Sequence, residues 1–134
     1  MAGVVMDQGL QDWLTDLISG ANFAAQKCRL YSNNNVPDTS DVIGDYTEST
    51  FTGYASVTLA GWSAVTVTAH VGSTVAATAN FTLTAGTATV YGAYITNSGN
   101  TRLYAAQIDP NAPITLNTTT NLYQVTVTVS DQSA

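Results

Sequence analysis

The chain has little charge of either sign, and positive charge is almost absent. Charged residues make up 9% of its 134 residues, and the only basic ones are Lys27, Arg29 and Arg102, so the formal net charge is −6. Proteins that bind nucleic acid or an anionic membrane surface use basic patches to neutralise phosphate groups. The composition therefore excludes both as partners.

Cysteine and histidine each occur once, as Cys28 and His70. One cysteine cannot form an internal disulfide or a cysteine-based metal site, and a nucleophilic cysteine needs a neighbouring group that lowers its pKa. The sequence also lacks a Gly-x-Ser-x-Gly elbow and a glycine-rich phosphate loop. We predict no enzyme activity and no cofactor, a buried Cys28 and a solvent-facing His70.

No basic segment followed by an apolar run opens the sequence, and no apolar stretch is long enough for a membrane span. We therefore expect a chain that is made in a cytoplasm and stays there or leaves inside a larger particle. The shortage of charge is compatible with two kinds of surface. Either partners cover much of it, or Ser, Thr and Asn solvate it in place of charged groups.

Residues 7–19 have the pattern of an amphipathic helix. Asp7 is placed to cap its N-terminus and Gly20 to end it. The apolar stripe consists of Leu10, Trp13, Leu14, Leu17 and Ile18. This stripe must pack on something, either the chain's own domain or a neighbouring subunit.

Residues 88–108 predict a β-hairpin around which the rest of the chain is built. Apolar residues occur on both faces of its strands, and Asn97, Ser98, Gly99 and Asn100 suit a tight turn. A strand with one wet face would alternate more regularly between apolar and polar residues. We predict that both faces of this hairpin are covered.

Other short β patterns are spread along the chain, including 26–31, 54–59, 63–71, 75–84, 114–116 and 122–129. No helical pattern separates consecutive strands, so the pairing should be antiparallel. We predict one mainly β domain over residues 1–134, an antiparallel sandwich or barrel of about eight strands with one N-terminal helix.

The longest predicted loop covers residues 32–45. It contains Asp38, Asp41 and Asp45, with Glu48 just beyond, and hard oxygen ligands of this kind suit calcium. The spacing matches no EF-hand loop, however, and solvated loops are often acidic. We predict no metal site.

Aromatic residues suggest a second binding hypothesis. Some of the seven tyrosines and two tryptophans could form a platform on which sugar rings stack. Most of them lie inside strand patterns, where a side chain fills the core or covers an interface.

The order of these segments resembles small virion proteins of tailed bacteriophages. The likeness is carried by the N-terminal helix, Leu30-Tyr31-Ser32-Asn33-Asn34 with the acidic loop after it, residues 45–54, and Val90-Tyr91-Gly92-Ala93-Tyr94. Such proteins resemble capsid decoration, or cement, proteins that brace the head from outside. The resemblance implies a stabilising role on the virion's capsid surface, with the major capsid protein as partner and often a homotrimeric state.

The resemblance assigns no binding motif to individual positions. From the residues themselves, we predict that the contacts come from the helix stripe and from the loop. The loop positions are Asn33, Asn34, Asn35, Val36, Pro37 and Asp38. The alternatives are a tail, fibre or baseplate component, or a carbohydrate-binding β module.

Overall fold

A computed structural model describes residues 3–9, 26–61, 63–64, 66–69 and 71–132. Over this part of the chain the protein is mainly β, and every strand pairing is antiparallel, as predicted. The strands are β1 (Val4–Val5), β2 (Lys27–Tyr31), β3 (Val57–Thr58), β4 (Thr66–Thr68), β5 (Val71–Val75), β6 (Ala79–Thr82), β7 (Ala88–Val90), β8 (Gly92–Thr96), β9 (Leu103–Ile108), β10 (Ile114–Leu116), β11 (Leu122–Val125) and β12 (Thr128–Gln132).

The largest sheet has five strands in the order β1-β9-β8-β2-β3, and we call it the central sheet. Its middle is the predicted hairpin, in which Tyr94 lies opposite Ala106 and, across the other edge of β8, opposite Arg29. Asn97 organises the turn, since its side-chain oxygen accepts hydrogen bonds from the N–H groups of Thr101 and Arg102. Asn100 adopts the left-handed conformation there, with φ of 54°.

Both faces of the central sheet are covered, because β2 and β8 alternate between two separate cores. Cys28 and Leu30 join a cluster with Phe81 and Val90, which we call core 1. On the opposite face, Tyr31, Tyr46, Tyr94, Met6, Leu103 and Ala106 form core 2. The hairpin thus has apolar residues on both faces because each face packs against a core, as predicted.

The remaining strands form three small sheets, the pairs β10-β7 and β11-β6 and the three-stranded β12-β5-β4. Phe81 of β6, Val90 of β7 and Leu116 of β10 contribute to core 1, which is why these pairs lie against the central sheet. The β12-β5-β4 sheet, here called the outer sheet, contributes no buried side chain among those described. Among the described strands no sheet closes on itself.

Several strand predictions differ from the structure, since 54–59 is a strand only at Val57–Thr58 and 75–84 is divided between the end of β5 and β6. The first strand of the hairpin breaks at Tyr91, so that β7 pairs with β10 while β8 joins the central sheet. The pattern at 63–71 is divided between β4 and β5 by a turn at Ala69, and the pattern at 122–129 is divided between β11 and β12. The breaks at Tyr91 and within 122–129 separate strands that pair in different sheets, and the break at Ala69 separates two strands that pair with each other.

The predicted helix at 7–19 is described only at residues 7–9, which are helical. Leu10, Trp13, Leu14, Leu17 and Ile18 lie outside the described residues, as does His70. The structure therefore shows neither where the apolar stripe packs nor whether His70 faces solvent.

Candidate interaction surface

The predicted loop begins on core 2. Tyr31, at the end of β2, is fully buried, and Tyr46, which follows the loop, is 5% exposed. Their rings meet edge to face with centroids 5.0 Å apart, and Tyr46 stacks on Tyr94 at 5.3 Å. Both ends of the loop are thereby fixed to one packed aromatic cluster, and aromatic pairs of this kind add about 1 kcal/mol each beyond their burial.

Asp41 connects the loop to that cluster. Its Oδ2 atom accepts hydrogen bonds from the Tyr46 hydroxyl at 2.7 Å, the Asn35 side-chain amide at 3.0 Å and the Asp38 backbone N–H at 3.1 Å. The Tyr31 hydroxyl donates to the Asn35 carbonyl oxygen at 3.2 Å. Hydrogen bonds to a charged acceptor are the stronger kind, so a single carboxylate fixes the shape of the loop.

Shorter contacts fix the turns of the loop. Asn33 donates from its side chain to the Asp45 carbonyl oxygen and accepts from the Thr47 N–H, both at 2.8 Å. Asp45 accepts from the Val42 N–H at the start of a short 3₁₀ helix, Ile43–Asp45. Short polar side chains that bind nearby backbone in this way are typical of ordered turns.

The acidic side chains of the loop are therefore used within it. Asp38 accepts hydrogen bonds from the backbone N–H and the hydroxyl of Ser40, and these bonds lower the pKa of its carboxyl group. Among the described residues, no group of three or more His, Cys, Asp or Glu side chains lies together to hold a metal ion.

Residues 4–8 of the N-terminal segment pack on core 2 and bond to the loop, a contact that the sequence does not predict. Met6 is completely buried in core 2. The N–H of Asp7 donates to the Thr39 carbonyl oxygen at 3.2 Å, and Gln8 accepts from the Leu103 N–H at 3.1 Å. Only the short apolar run Val4–Val5–Met6 signals this role, and a run of that length predicts nothing by itself.

The predicted loop positions divide into anchors and outward residues. Asn33 and Asn35 are half-buried and bonded as described, whereas Asn34, Val36 and Asp38 are exposed and Pro37 is half-buried. Val36 is 69% exposed, a large fraction for an apolar side chain in a loop whose backbone is so fully bonded. The structure brings these six positions together on one ordered surface, here called the loop surface.

Beside the loop, the basic residue Arg29 is already paired. It donates to Glu48 at 2.8 Å and to the Thr96 hydroxyl at 3.1 Å. Glu48 also accepts from the Tyr54 hydroxyl at 2.9 Å, and that hydroxyl in turn accepts from the Leu30 N–H at 3.2 Å. Strand β3 pairs only with Lys27 and Cys28. Glu48 and Tyr54 take its place as hydrogen-bond partners along the next residues of β2.

Cys28 is poorly placed to act as a nucleophile. Cys28 is fully buried, and burial raises the pKa of its thiol to about 12. A thiol with so high a pKa is almost never the nucleophilic thiolate near neutral pH. Burial likewise raises the pKa of Tyr31 to about 12, with Asp109 and Asp41 adding to the shift.

The described aromatic rings offer little for sugar stacking. Tyr31, Tyr46, Tyr94 and Phe81 are buried, and each of the other described Tyr and Phe side chains is at least half-buried. Trp13 and Trp62 lie outside the described residues. Apart from Tyr104, every described Tyr and Phe ring belongs to core 1 or core 2 or packs against one of them, as the strand patterns indicated.

No family model, curated protein or solved structure matches this chain. Within the described residues, no helix is long and apolar enough to cross a membrane.

Proposed function

We propose that this chain is a non-enzymatic structural protein of a tailed-bacteriophage virion, a decoration protein that binds the major capsid protein on the outside of the head. It would be assembled in the host cytoplasm and act together with copies of itself, as a homotrimer. The observation that carries the proposal is the loop surface, which is uncharged apart from Asp38 and is held in one shape by Asp41 and the tyrosines of core 2.

Preorganisation matters because a loop that is ordered before it binds loses little conformational entropy in the complex. An exposed valine on a surface with Asp38 as its one charged residue suits the core of a protein interface, where charged residues are depleted. The scarcity of basic residues and the resemblance to phage virion proteins favour a protein shell over a nucleic acid as the partner.

The fold that we propose with this function is a β-sandwich. Core 1 supports it, because Leu30 of the central sheet packs in one cluster with Phe81 of β6 and Leu116 of β10. In this arrangement the pairs β6-β11 and β7-β10 form the second layer.

The test is co-sedimentation with DNA-free heads of the phage whose genome encodes the chain. We expect the wild-type protein to sediment with heads, and Val36→Glu to bind at least about tenfold more weakly, a loss typical of a central interface residue. Leu122→Glu is the matched control, since Leu122 is an exposed apolar residue on β11, 46% exposed, and should bind like the wild type.

The proposal would be overturned if the wild-type protein did not sediment with heads. Binding to purified tails instead would favour the tail, fibre or baseplate alternative. Binding as a monomer in a glycan screen, with no affinity for heads or tails, would favour the carbohydrate-binding module.

A further inference from the structure

Among the residues that the structure describes, the outer sheet differs from the other sheets because none of its side chains is buried. All three residues of β4 are exposed, every residue of β5 is half-buried, and Thr128, Val129 and Ser130 of β12 are exposed. Val67 is 73% exposed and Val129 is 50% exposed. A small sheet without a buried face is marginal by itself, so this sheet lacks the packing that stabilises the other strands.

Both edges of the outer sheet are also open. The strand order is β12-β5-β4, and within the described residues no strand pairs with the outer side of β4 or of β12. Monomeric proteins protect such edges with Lys, Pro, bulges or covering segments. Thr66, Val67 and Thr68 include none of these protective residues, and their register with β5 is regular.

The composition of the two edges favours the same kind of partner. β4 has no charged residue, and the one charged residue of β12 is Asp131, so no two like charges meet when β4 of one copy pairs with β12 of another, although the chain has a net charge of −6. Threonine and serine hydroxyls can pair across adjacent strands, as Thr66 and Ser73 already do at 3.3 Å. As far as the described residues show, the outer sheet therefore has two unlike edges that carry no further strand and are compatible with each other.

We propose that these edges are the two halves of a contact between copies of this chain, in which β4 of one copy pairs with β12 of the next. A contact between unlike surfaces closes into a ring when the rotation permits, and a ring of three leaves neither edge open. The inference deepens the proposed function, since it supplies the surface for the self-association stated there. Its test requires no heads, so failure here leaves the binding of heads to be judged separately.

The experiment is multi-angle light scattering with three variants. The wild-type protein should have three times the mass of the 14.0 kDa chain. Val67→Lys blocks β4 and Val129→Lys blocks β12, and each should reduce the mass to that of one chain. Val5→Lys is the matched control, an exposed valine on the edge strand β1, 59% exposed, and should remain a trimer.

Mixing the two blocked variants gives the sharpest outcome. The mixture retains one intact β4 edge and one intact β12 edge, so it should form a dimer but no trimer. A monomeric wild type, a trimer that survives both substitutions, or an oligomer that is lost only with Val67→Lys would each overturn the proposal. The last result would indicate that β4 pairs with itself.

Amide hydrogen exchange keeps the proposal testable if a lysine variant fails to fold. In the wild-type protein, backbone amides of β4 and β12 should become more protected as the protein concentration rises across the assembly range. Protection that does not change with concentration, in a protein whose mass does change, would overturn the assignment of these strands.

Discussion

The central sheet and the outer sheet are built from similar residues but differ in what covers them. Leu30 and Val67 both lie on β-strands, yet Leu30 is fully buried in core 1 and Val67 is 73% exposed. Tyr54, Ser49 and Glu48 pair with the exposed edge of β2 in the central sheet, whereas no described residue pairs with the outer edge of β4. The comparison shows that strand propensity alone does not determine whether a strand contributes to stability, because burial supplies most of the free energy.

The largest expected difference comes from shortening one apolar side chain in each sheet. Leu30→Ala should lower the free energy of unfolding by about 2–5 kcal/mol, because it leaves a cavity in core 1. Val67→Ala should change it by less than about 0.5 kcal/mol in the monomer. Urea denaturation at low protein concentration measures both, and equal losses would contradict the difference in burial.

The next effect concerns close packing within the central sheet. A methyl group at Gly92 would overlap the Gln107 carbonyl oxygen and crowd the Tyr31 hydroxyl. Gly92→Ala should therefore destabilise the protein by about 1–3 kcal/mol. Gly44→Ala is the control, since nothing lies within 4 Å of its added methyl group, and thermal melting should show almost no change.

A smaller loss is expected at the loop anchor. Tyr46→Phe removes the 2.7 Å hydrogen bond to Asp41 but keeps the ring stacked on Tyr94. The loss in the free energy of unfolding should be about 0.5–1.5 kcal/mol, because the Asp41 carboxylate retains its hydrogen bonds from Asn35 and Asp38 and is not left unpaired. Tyr91→Phe, at a half-buried tyrosine on the same core, should cost less, and a reversed order would show that Asp41 does not fix the loop.

The smallest change is expected between pH 7 and pH 10. Burial raises the pKa values of Tyr31, Tyr46, Tyr54, Tyr94 and Tyr123 above the ordinary value of 10.0, Tyr31 to about 12. A raised pKa means that the folded state favours the neutral phenol, so this contribution is fully present below pH 10 and is lost as the pH rises through the folded-state values. Urea denaturation should give a flat stability to about pH 10 and a decline above it.

All five of these tyrosines lie outside the outer sheet. Because burial raises their pKa values, absorbance titration of the folded protein should show that these tyrosines ionise at a higher pH than free tyrosine, at pH values where the protein is still folded. Ionisation of all tyrosines near the ordinary pKa in the folded state would mean that the cores are open.

The sequence predicted well what depends on local patterns. Apolar residues on both sides of Tyr94 correctly indicated two covered faces, and Asn97 to Asn100 correctly indicated the turn. The alternation of Thr and Val at 63–71 is typical of a strand with one covered face, yet Val67 is exposed. Alternation shows which residues share a face, whereas the presence of a covering layer depends on segments far along the chain.

The same limit explains what was missed around the loop. In the sequence, Asp41 is one of several acidic residues in the loop. Its role in fixing the loop depends on hydrogen bonds from the Tyr46 hydroxyl and the Asn35 side chain to its Oδ2 atom, and no local pattern predicts these. Likewise, nothing local marks Tyr91 as the point where the chain passes from one sheet to another. Its N–H donates to the Tyr31 carbonyl oxygen and its own carbonyl oxygen accepts from the Asp109 N–H, so both of its partners are distant in sequence.

The contacts of the N-terminal segment also affect the order in which parts of the chain can fold. Val4 pairs with Ala106, and Gln8 bonds to Leu103 across 95 positions of sequence. Residues 4–8 are synthesised before residues 103–106, so core 2 cannot be completed until that later segment is available. Contacts of such long range slow folding, so the tyrosine cluster should be among the last parts of the protein to become ordered.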